Sequence, residues 1–223
     1  IKIVCTGGIS ILYTKLKAIV EAVRTINPTI SIIMGGGIVS SEPELILDAL
    51  KIDFGVIGEG EYAAEELINA IILKRDFTQI KGIVYKDENG MTVCTQPRHD
   101  IEDLDSVPWP DYEGFQLNRY LSRCLPSTSY IRALGYDNPR VLEIVSSRSC
   151  PFSCTFCFHT SGGKYRQRSL DNFFREIEYV KEKYSLNTLA ISDELFSVDK
   201  DRMLKFAEMI KKFNMKWIVA IRV

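Results

Sequence analysis

The sequence predicts an α/β fold built on parallel sheets, and three observations predict it. Short apolar, β-branched runs alternate with segments whose apolar residues recur at helical spacing. Each of the first three runs ends in a glycine-bearing loop: Cys5-Thr6-Gly7-Gly8, Gly35-Gly36-Gly37 and Gly58-Glu59-Gly60-Glu61. The same alternation resumes after residue 141.

Taken in order, Ile1 to Cys5 reads as a buried strand. Leu12, Leu16, Ile19, Val20 and Val23 then share one helical face, closed by Asn27-Pro28. Ile30 to Met34 is a second strand, and Ser41 is the expected N-cap of a helix with Pro43 in its first turn and Leu45, Ile46, Ala49 and Leu50 inward. Asp53 to Ile57 is a third strand, followed by a helix from Tyr62 to about Leu73. Glycine at these strand ends allows positive φ and close approach of backbone to a flat ligand, but tight turns alone also demand it.

Residues 76–140 read as a connector. Ile80 to Lys86 and Met91 to Thr95 form an expected hairpin, with Asn89-Gly90 supplying the positive φ angles. Ile101 to Tyr112 is proline-rich and aromatic, with Trp109 and Tyr112 read as packing residues. Cys94 and Cys124 read as small hydrophobes, His99 as a surface side chain, and Ser127 to Asn138 as a polar loop.

From 141 onward, the run Val141 to Val145 leads into Cys150-Pro151-Phe152-Ser153-Cys154-Thr155-Phe156-Cys157, which has C-x3-C-x2-C spacing. A thiol binds metal as its thiolate, and three so close need a cation to offset their charge. Four readings compete: a disulfide framework, a chance grouping, a zinc site completed by His159, and an iron–sulfur cluster with three protein ligands. Beyond the loop, Ser169 is the expected cap of a helix carrying Leu170, Phe173, Phe174, Ile177 and Val180. Asn187 to Ile191 is the next strand, then a helix from Asp199 to Lys212 with Met203, Phe206, Ala207 and Ile210 inward, then the strand Trp217 to Val223. The thiols thus sit at the C-terminal end of a strand, where α/β folds place their chemistry.

The segment Ser147-Arg148-Ser149-Cys150 through Cys157, with aromatic Phe156 before the last cysteine, resembles the signature of the radical S-adenosylmethionine (SAM) enzymes. The resemblance implies that Cys150, Cys154 and Cys157 hold a [4Fe-4S] cluster, that SAM chelates the fourth iron and is cleaved to a 5′-deoxyadenosyl radical, and that Phe156 lies against the adenine. It also matches Arg166 and Arg168 to an Arg-x-Arg-Ser turn, with Arg168 near SAM. Asp193 and Glu194 match an acidic turn facing SAM's amino group.

The first third resembles the second half of a cobalamin-binding domain found upstream of many such enzymes. Cobalamin would then meet Cys5, Thr6 and Gly7, the pair Gly35 and Gly36, and the turn Gly58, Glu59, Gly60 and Glu61, although Cys5 and Gly7 replace that family's usual serine and leucine. The expected organisation is a partial Rossmann-like (flavodoxin-like) cobalamin-binding domain over 1–75, the connector over 76–140, and the first part of a radical SAM (β/α) partial TIM barrel over 141–223. A full (β/α)8 barrel takes about 250 residues, so the chain is expected to be an excerpt truncated at both ends, displaying the cluster loop without turning over alone.

The expected function is carbon methylation, or cyclisation or rearrangement, of a small-molecule substrate, fed by an external flavodoxin- or ferredoxin-type electron donor. The alternatives are a radical SAM enzyme with a vestigial cobalamin domain and a zinc-stabilised binding module. A formal net charge of −1 gives no global basic field, so no nucleic acid is indicated. No apolar run reaches the length of a membrane span. Scattered cysteines and an oxygen-sensitive cluster favour the reducing cytoplasm.

Overall fold

The computed structural model describes residues 2–123, 138–158 and 163–222. The chain divides into two compact units, one running to Ile101 and the other starting at Glu102.

In the first unit, β1 (Ile3–Gly7), β2 (Ser31–Gly35) and β3 (Phe54–Val56) lie side by side and parallel. Alternation along β2 feeds two cores. Ile32 and Met34 meet Leu16 and Val20 of α1 (Tyr13–Ile26), together with Ile46, Leu47 and Leu50 of a later helix. Ile33 points the other way with Val56, toward Ala63 and Leu67 of a third helix. Helices on both faces make this a doubly wound sheet.

The second of these helices starts differently from expectation. Ser41 ends a short helix, α2 (Gly37–Ser41), and its hydroxyl donates to the Gly37 carbonyl at 2.8 Å. Glu42 stands at the N-cap of α3 (Pro43–Leu50), whose first position takes proline because no N–H is needed there. Leu45 is 61% exposed and Ala49 is exposed, since Leu47 shares the buried arc with Ile46 and Leu50. Ile19 likewise lies outside the buried face of α1. The third helix is α4 (Glu61–Leu73).

The hairpin expected in the connector extends this same sheet. β4 (Ile83–Lys86) pairs antiparallel with β3, and β5 (Thr92–Cys94) with β4. Val84 enters one core while Ile83 and Tyr85 enter the other, which explains the attachment. In the turn only Gly90 has positive φ, at 77°. Asp87 closes it instead, its carboxylate accepting from the N–H groups of Asn89 and Met91 at 2.9 and 2.8 Å. Cys94 is exposed rather than buried. Cys124 and all of the expected loop from Ser127 except Asn138 lie outside the described residues.

The second unit contains α5 (Leu117–Leu121) and the strand β6 (Val141–Ile144). A two-residue ladder joins β7 (Ser147–Arg148) to β8 (Arg166–Gln167). There follow α6 (Leu170–Tyr184), β9 (Thr188–Ile191), α7 (Lys200–Lys211) and β10 (Lys216–Val219). β6, β9 and β10 are parallel neighbours in chain order. Leu142, Ile144, Leu189 and Ile191 pack against Phe173, Phe174, Ile177, Phe206 and Ile210, all on the helix side. Val141 and Ala190 meet separately on the opposite face. Successive βα units with both helices on one face are the winding of a barrel segment. Each fully buried Phe here contributes about 1.5–3 kcal/mol. Ser169 caps α6 as expected, accepting from the Asn172 N–H at 3.0 Å, and Asp199 caps α7 in the same way from Arg202.

Candidate functional site

The cysteine loop leaves the C-terminal end of β6, as expected, and is closed at its base. Ser147 pairs with Gln167 and Arg148 with Arg166, so a short antiparallel stem joins the chain on either side of the cysteine segment. Ser149 has φ of 65°, uncommon outside glycine, and is 2% exposed. Its hydroxyl donates to the Gly163 carbonyl at 3.0 Å, tying the two shoulders together. Cys150 and Cys154 are half-buried, Cys157 is exposed, and none is in a disulfide. The Cys157 N–H donates to the Cys154 carbonyl at 3.1 Å, so these thiols flank one tight turn.

Phe156 is 87% exposed, and Phe152 lies under the Arg222 guanidinium at 4.5 Å. His159, the candidate fourth zinc ligand, lies outside the described residues. Among the described residues no three metal-capable side chains are gathered at one point. The donor set nevertheless fits an iron–sulfur cluster: three unbridged thiols share one closed, largely accessible loop.

Asp193 is placed differently from the expectation that it faces SAM. It is 5% exposed and turned into the base of the cysteine loop. Its Oδ1 accepts from the N–H groups of Ser146 and Ser147 at 2.6 and 2.9 Å. Its Oδ2 accepts from the two serine hydroxyls at 2.6 and 2.7 Å. With four bonds made, this carboxylate has little left to offer a ligand's ammonium. Glu194, the next residue, is half-buried.

Arg168 is also committed within the protein. Its Nη1 donates to Glu176 at 2.5 Å and to the Val145 carbonyl at 3.2 Å, and its Nε to Asn172 at 3.0 Å. Glu176, 1% exposed, also accepts the Tyr112 hydroxyl, and burial together with that bond pushes the Tyr112 pKa far up. Trp109 donates to Asn172 at 3.3 Å, and Tyr112 lies in the buried core with Trp109 packed against it, as expected. Arg166 is buried with its Nε on the Lys164 carbonyl. Sequence reading missed Glu176 and Arg202. Arg202 is 8% exposed, and desolvation lowers its pKa against the opposing pull of Tyr165 and Asp193. Each lies on its helix's buried arc, which looks the same in sequence as a solvated charge.

In the first unit the loops after β1, β2 and β3 share one sheet edge, as parallel pairing requires. Two of them touch. The Gly8 N–H donates to Gly35 at 3.3 Å and the Ile38 N–H to Gly8 at 3.0 Å. A Cβ on Gly7 would stand 2.6 Å from the Gly35 oxygen, and one on Gly36, whose φ is 84°, 2.8 Å from the Gly8 oxygen. Chain-on-chain contact therefore demands glycine at both positions. Cys5, Thr6 and Gly7 are still strand, with Cys5 exposed.

Gly58 differs from these. Its φ is 76°, its N–H donates to Ser40 at 2.9 Å, and nothing lies within 4 Å of a Cβ placed there. Gly60 follows as the N-cap of α4 and Glu61 as its first residue. Glu59 turns inward to accept the Ile101 N–H at 2.7 Å. The open space at Gly58 leaves room for close approach of a flat, bulky cofactor.

Residues 5–68 match the B12 binding domain family. The chain is 28% identical over 210 residues to an uncharacterized methyltransferase of Pyrococcus horikoshii, covering 92% of this chain and 42% of that protein. It is 28% identical over 227 residues to an anaerobic magnesium-protoporphyrin IX monomethyl ester cyclase of Rubrivivax gelatinosus, covering 98% and 38%. The chain thus spans about two fifths of the length of these curated relatives. Its fold matches that of the radical SAM methyltransferase TsrM of Kitasatospora setae, solved with cobalamin and a [4Fe-4S] cluster bound. The TM-score is 0.67 at 18% identity, covering 95% of this chain and 40% of that one. Among the described residues no helix is long and apolar enough to cross a membrane.

Proposed function

We propose that this chain holds the cobalamin- and cluster-binding portions of a cobalamin-dependent radical SAM enzyme that methylates, or closes a ring on, an unactivated carbon of a small molecule. The observation that carries this reading is Cys150, Cys154 and Cys157 on one closed loop at the C-terminal end of β6, in a chain whose residues 5–68 match a B12 binding domain. When bound, a [4Fe-4S] cluster supplies the electron that cleaves SAM, and cobalamin supplies a transferable methyl group.

The chain's own residues do the holding and aiming. Cys150, Cys154 and Cys157 bind as thiolates and so give up three protons on loading. Phe156 would offer its ring to the adenine, and Glu194 a carboxylate to the SAM ammonium. The ladder between β7 and β8 fixes where the loop begins and ends. On the other unit, the open turn at Gly58 and the touching loops at Gly8 and Gly35 would hold cobalamin. An external flavodoxin- or ferredoxin-type donor reduces the site, in a compartment that keeps thiols reduced, as the cytoplasm does.

A second reading is a radical SAM enzyme whose Rossmann-like unit no longer binds cobalamin. Gly7 and Gly36 favour it, because their absence of side chains is required by contacts within the protein. Anaerobically purified protein separates the two: cobalt absorbance that co-elutes with the chain supports the first, and its absence after loading with hydroxocobalamin supports the second. SAM added to the reduced, reconstituted protein should alter its electron paramagnetic resonance spectrum. An unaltered spectrum rejects both.

A further inference from the structure

We infer that Asp193 is a positioning residue for the cysteine loop, fixing the peptide from which the three thiols depart, and not a ligand of SAM. This goes beyond the functional reading but rests on it for the statement that the loop carries a cluster.

The geometry is specific. Ser146 is the last residue before the loop's antiparallel stem and Ser147 the first residue of it, and they are 0% and 2% exposed. Both their N–H groups and both their hydroxyls converge on the one carboxylate of Asp193, across 46 and 47 residues of sequence. The Ser146 carbonyl in turn accepts the Arg168 N–H at 2.9 Å, so the same residue is tied to the chain just past β8, the strand that closes the loop. Ser192, just before Asp193, donates its N–H to the Ile144 carbonyl at 3.1 Å and continues the pairing of β9 with β6. The end of the second strand of this sheet therefore grips the end of the first.

Above this grip the loop has further contacts among the described residues. They include the Ser149 hydroxyl on Gly163, the turn at Cys154–Cys157, and Phe152 under Arg222. Three thiols meet on one cluster only if the peptide entering the loop has one direction, and Asp193 supplies it. A carboxylate suits the task because it is acceptor-only, and all four groups it meets can donate. The buried Arg202 guanidinium adds an attractive charge near it.

The test compares Asp193→Ala and Asp193→Asn with the unaltered chain, reading two quantities before any SAM is added. The first is the rate of thermolysin cleavage within residues 149–165 in iron-free protein. The second is iron and sulfide bound per chain after anaerobic reconstitution. Asparagine keeps an oxygen for the two N–H groups, and its amide can donate to the serine oxygens once their hydrogens rotate away. D193N should therefore stay near the unaltered protein in both quantities. D193A should be cleaved about ten- to a hundred-fold faster and lose most of its iron.

Ser147→Ala is the second variant if D193A does not fold. It should quicken cleavage in the same loop by a smaller factor, with the thermal midpoint of the whole chain nearly unchanged. If D193A, or S147A in its place, keeps both loop protection and iron, the inference is overturned. That holds all the more if D193A then fails only in its spectral response to SAM, the pattern of a cofactor ligand. The cleavage arm needs no iron, so failure of the unaltered chain to take up a cluster would reject the functional reading and still leave Asp193 decided.

Discussion

The hydroxyl of Tyr112 donates to Oε1 of Glu176 at 2.5 Å inside the second unit, and the other oxygen of that carboxylate holds Arg168. Through Arg168 the pair reaches the Val145 carbonyl, where β6 gives way to the cysteine-bearing segment. A fully buried carboxylate is tolerated here because an arginine offsets its charge and a phenol fills a second acceptor site.

Removing one partner should show this dependence. Glu176→Ala leaves the half-buried Arg168 without its counter-charge and should cost about 3–5 kcal/mol of stability. Tyr112→Phe removes one hydrogen bond and should cost about 1–2 kcal/mol. Urea denaturation followed by tyrosine and tryptophan fluorescence measures both, and equal losses would contradict the ranking.

The same pair sets a pH dependence. Tyr112 is held protonated in the folded protein, above its ordinary range, while in the unfolded chain it ionises near about pH 10. The folded state then binds more protons than the unfolded one, so its contribution is complete below that pH and is lost as pH rises beyond it. Stability against urea should fall on the alkaline side, and Tyr112→Phe should flatten that fall.

Two glycines should answer differently to alanine. Gly36→Ala meets both a positive φ and a carbonyl oxygen at 2.8 Å, so it should destabilise the first unit by about 1–3 kcal/mol. Gly58→Ala has open space and should cost only its φ penalty, about 1 kcal/mol. If cobalamin sits against Gly58, this milder variant should nonetheless weaken cobalamin binding, measured by absorbance titration. Unchanged binding would remove the turn from the cofactor site.

Phe152 under Arg222 should contribute about 0.5–1 kcal/mol. Arg222→Ala should therefore quicken proteolysis of the cysteine loop about two- to five-fold, far less than the loss expected at Asp193. A larger effect would mean that this contact, rather than the loop's base, holds the thiols.

Local patterns were legible in the sequence, and long-range pairings were not. The Ser169 cap, the three parallel strands of each unit and the C-x3-C-x2-C loop at a strand end all rest on neighbouring residues. Asp193 could be placed on the correct edge, but its partners are distant in sequence, and nothing local says whether a carboxylate points outward or back into the fold. Arg168 read as an anion contact for the same reason; only its approach to Glu176 shows that its donors are taken. Gly7 and Gly36 looked like ligand glycines, because contact between two loops makes the same demand on sequence as contact with a cofactor. Ser41 misled through its type: serine favours caps, but here its hydroxyl closes the last turn of a preceding short helix.

The proposed function stands on three thiols of one loop holding a redox cluster. Iron and acid-labile sulfide per chain, measured after anaerobic reconstitution of the unaltered protein and of the Cys150→Ala, Cys154→Ala, Cys157→Ala triple variant, test it most directly. Matched iron and sulfide are expected in the first and essentially neither in the second. Iron and sulfide retained by the triple variant, or zinc without sulfide in the unaltered protein, would contradict it.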